Sequence, residues 1–597
     1  MNDNVKKSGG EMKKQSFLHG ALILTLSILI VKVVGMLFKV PLNWIITEEG
    51  MGYFGTAYNF YGPIFSLATA GFPIAISKMV SESYTRGDFR DIRQIHKASI
   101  PIFLFTGIVG TSVMIFGSKI YVDVVNNPLS RYSMIALAPA ILFSCLSSIY
   151  RGYYEGLRNM YPTAISEVLE ALGKLFLGLS GAYGVMKIGM NEFEAKGTVF
   201  GFDVQTVGNN AATIEDATAA LLPFSAAAAI LGVTFGSALS ILYLYWYHKK
   251  NSDGISKEMF DASPKPRSYK DTMKVLIKTA IPIGIGAIAT NVASLIDTTF
   301  LQTRIADIIE SNAAPLYAMY EGLIPKRNIE LPDTIPNFLY GCYTNALTLY
   351  MLVPSITQAF GISALPSMTS AWTSGDKTEI KKSMEAVLRI SALFSIPAGL
   401  GMSVMAMPIS KLIFGSRDAV EITAYVLMIL GISAIFASIS TPLNSMLQAV
   451  GRVDIPVKIL CVGLLIKILC TYVVAGIPSI NILGAGFGTF LCYGFSAVAA
   501  VIILCKITKI VPNLVSVFLK PLIAAVLCAV TAYGSYALLM AVLPAMAKIN
   551  VLVSIMLACV VYAAALLLLK ALSKDDILML PKGEKIAKVL EKHNFIM

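Results

Sequence analysis

Long apolar runs alternate with short polar segments along nearly the whole chain, and each run is about the length of a bilayer-spanning helix. Crossing the hydrocarbon layer takes about 20 mostly apolar residues. Fourteen windows meet that demand, at 17–43, 55–77, 98–118, 132–150, 163–187, 221–247, 275–301, 339–361, 384–408, 422–446, 456–477, 483–505, 516–540 and 550–571. The pattern predicts an all-α polytopic membrane protein with about 14 transmembrane helices.

Composition removes the other classes. Only 14% of the 597 residues are charged and 56% are hydrophobic, with a mean hydropathy of +0.69. A soluble surface calls for roughly 25% charged residues, so a soluble enzyme, a nucleic-acid binder and a disordered scaffold are all excluded. The net charge of +12 is what cytoplasmic loops beside anionic lipid supply. With the N-terminus in the cytoplasm, most of the 48 Lys and Arg residues fall on that side and the outer loops are net negative. This alternation holds only for an even number of helices, so both termini are expected in the cytoplasm. Lys6, Lys7, Lys13 and Lys14 precede an apolar run longer than a signal-peptide core, with no A-x-A site after it, which reads as a retained first helix. The eight cysteines lie almost entirely in apolar stretches without metal-ligand or disulfide spacing.

The loops show an internal repeat. Ile74–Gln94 stands 288 positions before Ile362–Lys382, with Thr85/Thr373, Gly87/Gly375, Asp88/Asp376 and Ile92/Ile380 coinciding. A second match sets Arg158 and Pro162 against Arg452 and Pro456. Two six-helix copies separated by an even number of helices share one orientation, which predicts two parallel lobes plus two C-terminal helices. The expected organisation is an N-terminal lobe over 1–248 and a basic cytoplasmic linker over 249–274. A C-terminal lobe over 275–505 then precedes the last two helices and tail over 506–597.

Charges at bilayer depth cost about 2.5–3.5 kcal/mol each and are functional candidates. Lys32 and Lys39 lie in the first window, Glu170 and Lys174 in the fifth, Asp297 in the seventh and Lys467 in the eleventh. Superposing the repeats brings Asp297 near the register of Lys39. Lys32, Lys39, Asp297, Glu170 and Lys174 are therefore the candidate substrate-binding residues, for an anionic head group or with Asp297 as a cation-coupling carboxylate. The competing reading is simple pairing, Lys39 with Asp297 and Glu170 with Lys174 one turn along a helix. Lys467 reads as a satisfied interior charge. Gly35, Pro73, Pro354 and Pro366 are candidate hinge or gate residues, because Gly and Pro bend helices and allow close approach. Gly484-Ala-Gly486-Phe-Gly488 has neither a preceding strand nor a following Lys-Ser/Thr, so it reads as helix packing and not a phosphate loop. No His, Cys or carboxylate arrangement suggests catalysis, a metal or a cofactor, and there is no Walker motif.

Taken together, several stretches resemble the multidrug/oligosaccharidyl-lipid/polysaccharide exporter superfamily over nearly the whole chain, above all its polysaccharide-biosynthesis and sporulation branch, related to lipid II flippases. They are Lys32-Val-Val-Gly35-Met-Leu-Phe-Lys39, Glu48-Glu49-Gly50-Met-Gly52, Ala70-Gly71-Phe72-Pro73 through Glu82, Gly156-Leu-Arg158 through Ser166, Leu295-Ile-Asp297-Thr298, and Val353-Pro354 through Leu365-Pro366-Ser367. The resemblance implies a flippase moving a polyprenyl-pyrophosphate-linked saccharide, such as a peptidoglycan or polysaccharide precursor, across the bacterial cytoplasmic membrane by alternating access. It implies basic residues three positions either side of the first-helix glycine. Lys32 stands three before Gly35, whereas Lys39 stands four after it and Phe38 takes the other place. An Arg and Glu before the eighth-helix proline, found in some lipid II flippases, are Leu349 and Leu352 here, so that pair does not carry over. Partners implied are the lipid-linked cargo, membrane lipids and envelope-biosynthesis enzymes, with no nucleic acid. No cofactor is implied beyond a coupling ion, Na⁺ or H⁺. Two alternatives are a multidrug/cation antiporter, whose cavity would be acidic and aromatic, and a non-transporting envelope-assembly factor.

Overall fold

The computed structural model describes residues 17–69, 71–204, 206, 212–251 and 253–571. The chain is almost wholly helical. In order come α1 (Phe17–Thr69), α2 (Gly71–Arg86), α3 (Phe89–Val124), α4 (Ser130–Gly156) and α5 (Tyr161–Lys196). A hairpin pairing β1 (Thr198–Val199) with β2 (Phe202–Asp203) leads to α6 (Ile214–Lys250), the short α7 (Lys257–Ala262) and α8 (Tyr269–Asn312). There follow α9 (Ala314–Met319), α10 (Lys326–Glu330), α11 (Ile335–Tyr350), α12 (Leu352–Ser374), α13 (Lys377–Val404) and α14 (Ala406–Phe414). The last are α15 (Ala419–Ala449), α16 (Asp454–Ala475), α17 (Leu483–Thr508), α18 (Lys520–Val542) and α19 (Ala547–Leu568).

Among the described residues, 11 helices are long and apolar enough to cross a membrane. The first of these stretches, Leu26–Arg86, carries two of the expected windows. α8 lies on the window 275–301, and α11 with α12 on 339–361. Large apolar side chains on these helices stand exposed, among them Phe116 at 77% and Leu568 at 76%. Such a surface is stable only against hydrocarbon.

Two junctions have clear local causes. Within α1, Thr47 takes φ 56° and ψ −172°, so the helix turns between the first two windows at a backbone setting costly for a β-branched residue. α11 stops at Tyr350 and α12 restarts at Leu352 just before Pro354, whose missing N–H cannot continue the helical ladder. The eighth span is thus two helical pieces.

By contacts, the described residues fall into two compact units that divide between Thr299 and Phe300. The sequence places the lobe boundary at 249–274. In the structure that segment is a strap tied to the first unit. Arg267 pairs with the buried Asp91 at 3.0 Å and Arg93 pairs with Asp253 at 3.0 Å. Arg90 donates to the carbonyls of Phe260 and Asp261, both at 3.0 Å. α8 then begins in the first unit, where Asn291 Nδ2 donates to Ser66 Oγ at 2.7 Å. It ends in the second, where the Arg304 guanidinium lies over the Tyr472 ring at 4.6 Å.

The repeat is real at the level of local geometry. Gly87 and Gly375 both take left-handed φ, 80° and 72°, and end α2 and α12. Asp88 and Asp376 precede α3 and α13, and only Asp376 caps its helix, accepting from the Thr378 N–H at 2.8 Å. The second match needs a correction of one residue. Arg158 (φ 59°) and Gly451 (φ 82°) occupy equivalent helix-ending positions, each followed by an N–H that reaches back to the last turn. Arg158 therefore corresponds to Gly451, and the loop before Pro456 is one residue longer than that before Pro162.

Glycines set the spacing inside each unit. A Cβ on Gly236 of α6 would meet the Glu170 carbonyl oxygen at 2.5 Å, and one on Gly173 of α5 the Gly236 Cα at 2.7 Å. On α4, a Cβ on Gly152 would meet the Pro73 carbonyl oxygen at 2.6 Å. Pro73 thus lies at a tight crossing of α2 and α4. In the second unit a Cβ on Gly484 would meet the Ala475 amide nitrogen at 2.5 Å, which is the close helix packing expected of the Gly484–Gly488 run. By contrast, a Cβ on Gly35 would meet nothing within 4 Å. Gly236→Leu should therefore destabilise the first unit by about 1–3 kcal/mol, whereas Gly35→Ala should stay within about 0.5 kcal/mol of the parent. Thermal unfolding in detergent checks the contrast, and equal Tm values for the two variants would contradict this packing.

Candidate functional site

Three of the five candidate binding residues gather in one wall of the first unit. Lys32 and Lys39 lie seven positions apart on α1, about two helical turns, and so share a face. Gly35 lies between them, and a Cβ there would meet nothing within 4 Å. Lys174 reaches the same region from α5, and Lys39 lies within electrostatic reach of both Lys174 and Lys32. Lys32 is exposed, while Lys39 and Lys174 are half-buried.

The surroundings of Lys174 are aromatic. Its Nζ donates to Tyr58 Oη at 3.2 Å and lies 4.8 Å from the Tyr58 ring centroid and 4.9 Å from that of Phe38. Phe38, Phe54, Tyr58, Tyr61 and Phe65 then form a column along α1 with successive centroids 5.0–5.9 Å apart. Ring faces stabilise a cation without neutralising it. Among the described residues, no carboxylate lies within ion-pairing distance of Lys32, Lys39 or Lys174.

Glu170 belongs elsewhere, and this corrects its expected pairing with Lys174. Its Oε2 accepts from an Arg151 guanidinium nitrogen at 2.9 Å and its Oε1 from Ser237 Oγ at 2.9 Å. Arg151 also donates from Nε to Ser166 Oγ and from the guanidinium to Ser240 Oγ, both at 2.9 Å. The glycine contact of α5 with α6 brings Ser237 and Ser240 within reach of this pair. Arg151 escaped the sequence reading because the fourth apolar window ends one residue earlier, at 150. Ser144, Ser147, Ser148 and Arg151 stand at helical spacing on one face, and that polar stripe was the available signal.

Asp297 is buried in α8 at 3% exposure. Its neighbour Thr298 accepts from Asn59 Nδ2 at 2.9 Å, and Thr299 meets Tyr121 Oη at 3.2 Å, which holds this stretch of α8 against α1 and α3. Among the described residues Lys39 and Asp297 form no ion pair, so the alternative reading of a bridge between them does not hold. Lys467, in the second unit, is 2% exposed and donates to Thr489 Oγ1 at 3.0 Å. The side chain of Pro366 lies outside the described residues.

Residues 17–189 match the family model described as polysaccharide biosynthesis protein, and residues 341–473 match MatE. The chain is homologous to the lipid II flippase MurJ of Bacillus subtilis (strain 168), 26% identical over 80% of this chain and 81% of the relative. It is likewise related to stage V sporulation protein B of the same organism, at 23% identity over 79% and 80%. Among solved structures, a lipid II flippase MurJ in an inward closed conformation aligns with TM-score 0.58 at 13% identity, over 92% of this chain and 98% of the other. An inward-facing multidrug resistance MATE family transporter aligns with TM-score 0.59 at 11% identity, over 81% and 98%. At such identities the structures establish the shared fold.

Because Lys39 and Asp297 are not paired, their substitutions should act independently. Asp297→Asn and Lys39→Gln should give a coupling below about 0.5 kcal/mol in a double-mutant cycle of thermal stability. A double variant markedly more stable than Asp297→Asn alone would restore the bridge.

Proposed function

We propose that this chain, a member of the multidrug/oligosaccharidyl-lipid/polysaccharide exporter superfamily and a homologue of a lipid II flippase, translocates a polyprenyl-pyrophosphate-linked saccharide across the bacterial cytoplasmic membrane. The observation that carries this reading is the set of three lysines in one wall of the first unit, flanked by aromatic rings and lacking a carboxylate partner among the described residues. A pyrophosphate presents several anionic oxygens to such a set, and charge-assisted hydrogen bonds are roughly twice as strong as neutral ones. A multidrug/cation antiporter would need the opposite polarity.

The cargo passes unaltered, by alternating access of the two lobes, with both chain termini in the cytoplasm. Asp297, a carboxylate buried on α8 at bilayer depth, is the group we assign to coupling this movement to Na⁺ or H⁺. Cargo supply and use fall to membrane enzymes of envelope assembly.

Lys32→Ala should abolish flipping in reconstituted vesicles while expression and insertion stay normal, and Lys32→Arg should keep partial activity. Full complementation of a flippase-depleted strain by Lys32→Ala would refute the reading. Asp297→Asn should remove any dependence of flipping on an imposed Na⁺ or pH gradient, and a retained gradient response would exclude it as the coupling group.

A further inference from the structure

A cation cluster presents net positive charge to an anion only while the nearest carboxylate is engaged elsewhere. Glu170 and Lys174 lie four residues apart on α5, the spacing at which a glutamate and a lysine on a helix normally pair. They do not pair here. The Glu170 carboxylate is turned toward α4 and α6, with one oxygen on Arg151 and the other on Ser237, both at 2.9 Å. The Lys174 ammonium is turned toward α1, onto Tyr58 and Phe38. Glu170 still lies within electrostatic range of Lys174.

We propose that Arg151 is a positioning residue for anion recognition: by holding Glu170, it keeps the Lys174 ammonium available to the phosphate groups of the cargo. This inference rests on the function proposed above. Arg151 suits the task because its planar fork reaches several acceptors at once. It is fixed by Ser166 and Ser240 as well as by Glu170, and Ser240 lies 3.5 Å from Ser147. The pair is only partly exposed, at 18% for Arg151 and 28% for Glu170, so loss of the arginine would leave a carboxylate with few other partners. Lys174 then stands one helical turn away on the same face. Binding would fall although no group that touches the cargo had changed.

The test is a double-mutant cycle on binding of undecaprenyl pyrophosphate to the purified full-length protein in detergent. Arg151→Met should weaken binding about tenfold, the worth of one charge-assisted contact. Arg151→Met with Glu170→Gln should recover most of that loss. In a Lys174→Met background, Arg151→Met should have no further effect. Arg151→Lys keeps the charge but loses the fork, so it should fall between the parent and Arg151→Met, and it serves if the methionine variant does not fold. An equal loss from either Arg151 variant in the presence and absence of Lys174 would overturn the positioning role, as would a Glu170→Gln double variant that recovers nothing. If Lys174→Met itself leaves binding unchanged, the cation site of the proposed function fails and this inference with it. If Lys174→Met weakens binding and the Arg151 variants do not, only the inference fails.

Discussion

Holding cations at bilayer depth without neutralising them is the constraint on which the first unit depends. Each such charge costs about 2.5–3.5 kcal/mol by insertion measurements. The usual remedy is a carboxylate partner, which would also erase the group's attraction for an anion. Here Lys174 is stabilised by ring faces and a hydroxyl. The carboxylate best placed to cancel it is engaged by Arg151 and serines. Polarity is met with polarisable and neutral groups, and net positive charge survives.

The helix packing follows from the same need. Serines on α6 reach Glu170 and Arg151 because glycines let α5 and α6 approach almost backbone to backbone. The cytoplasmic strap works on a different level. Its Arg267, and the arginines Arg90 and Arg93 of α3, are tied to Asp91, Asp253 and backbone carbonyls, so the segment after α6 packs as part of the first unit. The start of α8 follows directly from it, and α8 reaches Phe300 before it joins the second unit.

Much of this was legible in the residues. Apolar run length alone located the spans, because the hydrocarbon thickness leaves little choice. The Gly87/Gly375 repeat was visible because both copies end a helix with a left-handed turn, where glycine is favoured. Lys32, Lys39 and Lys174 stood out as charges inside apolar windows. Arg151 did not, since hydropathy assigns a charge at the edge of a window to the adjoining loop, whereas α4 continues to Gly156. The alternative Glu170–Lys174 pairing rests on i,i+4 spacing, which describes an isolated helix, and here two neighbouring helices supply Arg151 and Ser237 instead. The one-residue shift between Arg158 and Gly451 arose from aligning arginine with arginine, although the helix-ending backbone position is what recurs.

The central claim is that the lysine wall recognises a lipid pyrophosphate. The most direct measurement is mass spectrometry of lipids that copurify with the protein from its native membrane. The account predicts polyprenyl-pyrophosphate glycans with the parent protein, and their depletion when Lys32, Lys39 and Lys174 are all changed to glutamine in a folded variant. Equal recovery of these lipids by the two proteins, or their absence from the parent, would contradict it.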